Sequence, residues 1–351
     1  MDVSIIGASG DCGREIVTQL LVARVISPSE RLQLVGRAEG RSAQILVGLC
    51  SDLEDAYAEM APELDVALHP EEVVGDVIVM AAGATVGGKV TSRAELAQVN
   101  LPLFESYAKA IARYGHGHEV IIVVTNPVEL AVEVFSRYLD RHQVIGIGAY
   151  SDSLRFRREI AADVGIRRQL VQGFVVGEHG DSLVPLWSSV QVQGMDTEEL
   201  QTTLKRLRRG RLIDDFPNEV NREKQIVLNY LQNESVQAAY TYVDRLPPDL
   251  RVVIKPYVTH LSGAKTISAT ANVTVDLVKT LLDGKEIVVS GQVQLEGEFY
   301  GIQTPIGVPI VVTPFGWTQV VPLQLWEEEA QLLKRQADRL KRRLKEDWQH
   351  D

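Results

Sequence analysis

Several short stretches of this 351-residue chain carry residue types and spacings that could do chemistry. His179 stands in Gly177-Glu178-His179-Gly180-Asp181-Ser182, a turn following a β-rich run. An imidazole titrates near neutrality, so it can take up or release a proton at physiological pH. A lone histidine is more often structural than catalytic, and what singles this one out is its setting between glycines on a turn. Arg155 lies three residues beyond Asp152, on about the same face of a helix expected over Ser153 to Val164. A guanidinium offers a planar two-bond fork to a carboxylate, which lysine cannot reproduce. Asp152, read alone, makes a good helix N-cap. At the first strand-to-helix junction, Gly7-Ala8-Ser9-Gly10-Asp11-Cys12-Gly13 is a turn whose backbone N–H groups could approach a pyrophosphate at a helix N-terminus. Its GxxGxxG spacing is weak evidence alone, and its place in the first βα unit strengthens it.

The elements that must position these residues are legible in outline. Val3 to Ile6, Leu32 to Val35, Val77 to Ala82 and Val120 to Thr125 are apolar runs without alternation, as expected of strands buried on both faces of a parallel sheet. Helical stretches at Arg14 to Ala23, Ser42 to about Met60, Ser92 to Tyr114 and Glu129 to Tyr138 lie between and after them. This alternation predicts an α/β fold: a doubly wound, parallel-sheet (Rossmann) N-terminal domain over 1–149. The remainder, 150–351, reads as a C-terminal α+β substrate or catalytic domain. Its strands are expected at 174–176, 184–192, 287–295 and 308–312, among helices near 197–209, 218–235, 265–282 and 326–347.

The second strand ends Leu34-Val35-Gly36-Arg37, where a dinucleotide fold usually carries an acidic residue for the NAD ribose. Gly36 holds that position, followed by Arg37, with Arg41 and Ser42 close behind. A guanidinium suits a 2′-phosphate and a carboxylate would repel it, so the expected cofactor is NADP or NAD, with NADP accepted.

Taken together, Val124-Thr125-Asn126-Pro127-Val128, Asp152-Ser153-Leu154-Arg155 and Gly177-Glu178-His179-Gly180-Asp181-Ser182 closely resemble the malate/lactate dehydrogenase family, in its lactate-dehydrogenase-like malate dehydrogenase branch. The resemblance runs through most of the chain and is strongest from 117 to 187. It implies an NAD(P)-dependent oxidoreductase acting on a small 2-hydroxy or 2-oxo acid, malate first and lactate-like acids second. It implies His179 as the proton-transfer residue, Asp152 as its partner carboxylate and Arg155 as the anchor of the substrate carboxylate. Asn126 would hydrogen-bond the reacting oxygen, with a cis bond expected before Pro127, and Arg93, following the lid loop Gly83 to Thr91, would polarise the carbonyl. Thr266 matches the family's substrate-wall residue. At the cofactor the implied residues are Gly7, Gly10, Asp11, Gly13, Arg37, Gly83, Asn100 and Val124. A homodimer or homotetramer is implied as well.

Two departures stand out. Malate dehydrogenases carry a second lid arginine six residues before the catalytic one, and that count reaches Gly87 here; lactate dehydrogenases usually have Gln, also missing. Lys89 is the basic residue that could supply the distal charge, and the alternative is a different 2-oxo acid. Between Asn221 and Ser262 the chain is longer than expected by about twenty to thirty residues and contains Leu246-Pro247-Pro248, which reads as a helix break. A subunit contact or a flap over the site is expected there. The altered lid also motivates a rival from another class, a catalytically impaired dinucleotide sensor or scaffold. The retained His179, Asp152, Arg155, Asn126 and Arg93 weigh against it.

Composition narrows the field further. A formal net charge of −11 disfavours a nucleic-acid backbone as partner. The basic run Lys334 to Arg343 is interleaved with acids and is expected on a solvated helix face. No apolar stretch approaches the ~20 residues that span a bilayer, so no membrane partner is expected. Two cysteines, Cys12 and Cys50, make no disulfide framework or cysteine metal site, and a cytoplasmic location is expected. His116 and His118, flanking Gly117, are read as solvent-exposed rather than metal-binding, and no metal is expected.

Overall fold

The structure, a computed structural model, describes residues 1–85 and 93–348, with Arg93 described in its backbone alone. Six strands form the N-terminal part of one sheet: β1 (Val3–Ile6), β2 (Arg31–Val35), β3 (Glu63–Ala67), β4 (Val77–Met80), β5 (Val120–Val123) and β6 (Val144–Gly146). They run parallel in the order β3-β2-β1-β4-β5-β6. Every residue of β1, β4 and β5 is buried, which is why these strands read as continuous apolar runs. The covering helices are α1 (Asp11–Val22), α2 (Ser42–Ala56), α3 (Arg93–Tyr114) and α4 (Val128–Tyr138).

The next helix, α5 (Gly148–Val164), leaves the carboxyl end of β6 and carries Asp152 and Arg155. It begins five residues earlier than the sequence suggests. Asp152 is therefore inside the helix, and Ile147 is the N-cap. The N-cap reading of Asp152 is thus corrected, and its carboxylate is available for another partner.

Beyond α5 come β7 (Val171–Gly177), β8 (Leu183–Val192), α6 (Thr197–Arg208), α7 (Phe216–Asn233), α8 (Val236–Val243), α9 (Pro248–Leu261), α10 (Ile267–Leu282), β9 (Ile287–Gln294), β10 (Pro305–Thr313), β11 (Gly316–Val320) and α11 (Glu327–Asp347). These later strands are antiparallel, and they join the parallel set where β9 meets β6 at Gln292 and Gly146. The sheet is thus continuous across both halves, with eleven strands among the described residues. β10 pairs β7 at Gly307 and Gly177, two residues before His179. Cys12 and Cys50 are both free thiols.

The longer segment after Asn221 completes α7 and adds α8 and α9; α9 packs on α5, and α8 packs on α7 and α9. The break expected at Leu246-Pro247-Pro248 falls between α8 and α9: Pro247 is the N-cap and Pro248 the first residue of α9, where its missing N–H costs nothing. Lys255 donates to the buried Glu159 carboxylate of α5 at 2.9 Å, and Arg251 donates to the Glu159 carbonyl at 3.0 Å. Two further arginines of α5 differ in setting, and Arg158 is exposed. Arg157 is instead half-buried, donating to the Gly173 carbonyl at 2.9 Å.

Candidate active site

The glycine turn, the residues after β2, Gly83, Asn126 and Asp152 all follow the carboxyl ends of parallel strands, where doubly wound sheets bind ligands. The turn after β1 is packed as tightly as backbone allows. A Cβ on Gly13 would lie 2.2 Å from the Gly7 carbonyl oxygen, and one on Gly7 would lie 2.6 Å from the Ala82 nitrogen. Gly10 is the N-cap of α1 and supplies no capping side chain, leaving the first N–H groups of that helix for an external acceptor. This bare, side-chain-free cradle fits a dinucleotide pyrophosphate. Asp11 is exposed and pairs with Lys265 at 3.1 Å across the cleft mouth.

At the ribose end, a Cβ on Gly36 would stand 2.5 Å from Leu46 Cδ1 and 2.6 Å from Ser42 Oγ. An acidic side chain there would have to displace the Ser42 hydroxyl and the end of the Leu46 side chain. Arg37 is exposed; its backbone N–H meets Ser42 Oγ at 3.4 Å, and that hydroxyl lies 2.9 Å from Ser9 Oγ. The lip therefore offers hydroxyls and a guanidinium, a set that fits a phosphate.

The end of β4 and β5 is closed by Asn100 of α3. Its Oδ1 accepts from the Ala84 N–H at 2.8 Å, and its Nδ2 donates to the Asn126 carbonyl at 2.8 Å. Gly83 lies under Thr125, where a Cβ would be 2.5 Å from Cγ2, and the buried Val124 hydrogen-bonds back to the Met80 carbonyl at 3.0 Å. Asn126 is exposed, and the Asn126–Pro127 peptide is cis.

Asp152 is 2% exposed and joins two cations: its Oδ2 lies 2.8 Å from His179 Nδ1, and its Oδ1 accepts from Arg155 at 2.7 Å. The imidazole reaches Asp152 because Gly148 leaves space for it; a Cβ there would be 2.6 Å from His179 Cγ. Burial alone would lower the His179 pKa, but the charge and hydrogen bond of Asp152 outweigh it, so the imidazole is held above its ordinary value. Burial likewise works against an ionised Asp152, and His179 and Arg155 overcome it, holding the carboxyl below its ordinary range. Such a pair keeps one imidazole nitrogen fixed on a carboxylate and directs the ring as a proton donor or acceptor.

Arg155 and Thr266 line one cleft of about 610 Å³, with Arg14, Arg158, Lys255 and Lys265 among its other walls. Lys255, Pro256 and Thr259 bring α9 into that wall. Lys89 and the Arg93 side chain lie outside the described residues.

Sequence reasoning missed the supports around His179. Buried Glu129, in the segment after Pro127, accepts the His179 backbone N–H at 2.7 Å. Gln292 donates to the same carboxylate at 3.3 Å and accepts from the Ala149 N–H at 3.0 Å. Buried Glu178 pairs with Arg343 of α11 at 2.6 Å, so one member of the basic C-terminal run is half-buried at the site rather than on the solvated face. An acidic residue amid the apolar stretch 128–135 was the available signal for Glu129.

A parallel dinucleotide-type sheet combined with a histidine–aspartate pair and an adjoining arginine is the arrangement of a Rossmann-fold oxidoreductase. Residues 1–146 match the profile "lactate/malate dehydrogenase, NAD binding domain", and residues 151–235 and 253–350 match "lactate/malate dehydrogenase, alpha/beta C-terminal domain". The chain belongs to the lactate/malate dehydrogenase family. It is an NAD(P)-dependent oxidoreductase acting on the CH–OH group of a 2-hydroxy acid. Residues 236–252, between the two matched stretches, hold α8 and the start of α9. Similar proteins include the L-2-hydroxycarboxylate dehydrogenase (NAD(P)(+)) of Methanocaldococcus jannaschii, 27% identical over 97% of each chain. The malate dehydrogenase of Methanococcus maripaludis is 28% identical over 97% of each chain. The L-lactate dehydrogenase of Priestia megaterium is 28% identical over 76% of this chain and 73% of that one. In fold, the crystal structure of Cryptosporidium parvum malate dehydrogenase superposes with a TM-score of 0.76, covering 99% of both chains at 22% identity.

Proposed function

We propose that the protein interconverts malate and oxaloacetate, with NADP accepted as well as NAD. The observation that carries the chemical part is the Arg155–Asp152–His179 chain of contacts. When bound, the nicotinamide supplies the hydride donor or acceptor. Arg155 grips the substrate's 1-carboxylate, using the part of its fork not engaged by Asp152. His179 then stands at the reacting oxygen: as the imidazolium it gives a proton during reduction, and as the imidazole it takes one during oxidation. Asp152 stabilises the charged form and fixes Nδ1, so the proton moves at Nε2. Asn126 and Arg93 polarise the reacting oxygen, and Thr266 lines the substrate wall. In this reading residues 1–149 hold the dinucleotide through Gly7, Gly10, Gly13, Arg37, Gly83, Asn100 and Val124, and 150–351 hold the acid. The assembly is a homodimer or homotetramer.

Malate requires a cation for its distal carboxylate, and the lid supplies Lys89 where Gly87 replaces the usual arginine. The same glycine favours a second reading, a lactate-like or other 2-hydroxy acid. The test is oxidation of NADH and NADPH against oxaloacetate, pyruvate and bulkier 2-oxo acids, for the wild type and Lys89→Ala. Preferred turnover of oxaloacetate, with kcat/KM reduced at least tenfold by the substitution, supports malate. Preferred turnover of a monocarboxylate transfers the same mechanism to that acid. No turnover with any acid, despite tight cofactor binding, would favour the sensor.

A further inference from the structure

The opposite rim of the sheet carries a second cluster of chemistry-bearing side chains. Asp76 immediately precedes β4, and His116-Gly117-His118 lies just before β5, so the pairing of β4 with β5 brings them together. His116 Nε2 lies 3.5 Å from Asp76 Oδ1, and His118 Nε2 lies 3.8 Å from the same oxygen. The two rings lie against each other, tilted by 33° with centroids 3.8 Å apart. The three ligand atoms lie within 4.8 Å of one another, the one such grouping of three among the described residues.

These separations are too long for good hydrogen bonds. They are close to the spacing of two ligands on one metal. Donors about 2.0–2.2 Å from a tetrahedral ion stand about 3.3–3.6 Å from each other. We propose that Asp76, His116 and His118 form a surface site for a divalent transition-metal ion of the zinc class. Two imidazoles and one carboxylate suit zinc, nickel or copper rather than magnesium or calcium, which take oxygen donors. Water completes the coordination on the exposed side.

The loop is held ready for this. Buried Glu119 accepts the backbone N–H groups of His116, at 2.5 Å, and Gly117, at 3.0 Å. Its Oε1 also stands 3.5 Å from His116 Nδ1, so a negative charge faces that ring on the side away from Asp76. Asp76 Oδ2 accepts the Asp2 N–H at 2.7 Å, which fixes the carboxylate and leaves Oδ1 facing the histidines. Both histidines are exposed, as the sequence suggests, and exposure gives an ion its entry path. The site sits at the amino ends of the four-residue strands β4 and β5, whose carboxyl ends lead to Gly83 and Asn126 of the candidate active site. At about 3.3 Å per residue, it is separate from the dehydrogenase centre.

The test uses untagged full-length protein, stripped with chelator and titrated calorimetrically with Zn²⁺ at neutral pH. The expected result is one ion per chain, with affinity reduced at least tenfold by His116→Ala, His118→Ala or Asp76→Asn and unchanged by His142→Ala, an exposed histidine beside Asp140 that serves as control. The metal-free histidine variants should keep the wild-type dehydrogenase rate, which shows that they are folded. Absence of stoichiometric binding, or binding that survives in the His116→Ala/His118→Ala double variant, would overturn the proposal.

Discussion

At the scale of single residues, the chemistry depends on two opposite displacements of pKa within one hydrogen-bonded pair. His179 is raised and Asp152 is lowered, each because the partner's charge outweighs burial. The raised imidazole contributes stability that is complete below its unfolded pKa and is lost as pH rises through the folded one. The lowered carboxyl contributes stability that is complete above its unfolded pKa and is lost as pH falls through the folded one. Both contributions are therefore complete between the ordinary carboxyl value of 3.8 and the ordinary histidine value of 6.5. In catalysis the same logic gives mirror-image profiles. Reduction should fall, and oxidation should rise, as pH passes a midpoint above the ordinary histidine value of 6.5. Parallel profiles in the two directions, or a midpoint below that value, would count against His179 as the proton carrier. Replacing His179 with Asn should lower kcat by about 10²–10⁴-fold with cofactor binding intact, measured by fluorescence titration. Near-wild-type turnover would sink the assignment. These residues were legible in sequence because a motif survives as a string of letters. Glu129 and Gln292 were not, since their role is to hold the His179 turn from elements distant in the chain.

Secondary-structure elements decide whether those residues meet, and here the reading of the chain was less complete. Buried strands such as Val77–Met80 announce themselves as apolar runs. β3 does not: Glu63 is exposed, and Glu63–Ala67 forms the sheet's edge, where only Ala67 is buried. β6 has three residues, too few for a pattern, and β11 reads as a polar tail because Thr318 and Gln319 face solvent. The Leu246-Pro247-Pro248 break was legible because proline ends a helix interior yet is well placed at a first position, so α8 stops before it and α9 starts on it. The start of α5 was placed late, since Gly148 looks like a boundary rather than the first helical residue. That glycine is where the helix and the catalytic turn are closest. Gly148→Ala would force a methyl to within 2.6 Å of His179 Cγ. The expected cost is about 1–3 kcal/mol in denaturant unfolding. The displaced imidazole should also lower kcat more than it changes the cofactor Kd. A variant with wild-type kcat and stability would mean that α5 and the His179 turn do not depend on this contact.

For the whole molecule, the continuous sheet is the consequential feature, because it ties the dinucleotide end to the histidine turn through β6, β9, β10 and β7. A ligand that binds only the native chain stabilises all of it, by about 2.7 kcal/mol at a hundred times its Kd. Cofactor preference can therefore be read from unfolding, independently of any substrate. The Gly36 position is closed by Leu46 and Ser42, while Arg37 is exposed beside the hydroxyls of Ser42 and Ser9. That arrangement lacks the carboxylate that would hold a ribose diol and repel a 2′-phosphate. At equal concentrations NADPH should raise the thermal midpoint at least as far as NADH does. Arg37→Asp introduces a negative charge on the exposed lip without altering the packed glycine, so it should remove most of the NADPH shift and leave the NADH shift nearly intact. If the substitution lowered both shifts equally, Arg37 would be a general contributor to the fold of that lip. If it changed neither, the 2′-phosphate would have to be met elsewhere in the cleft, and the discrimination argued from Gly36 and Arg37 would fail.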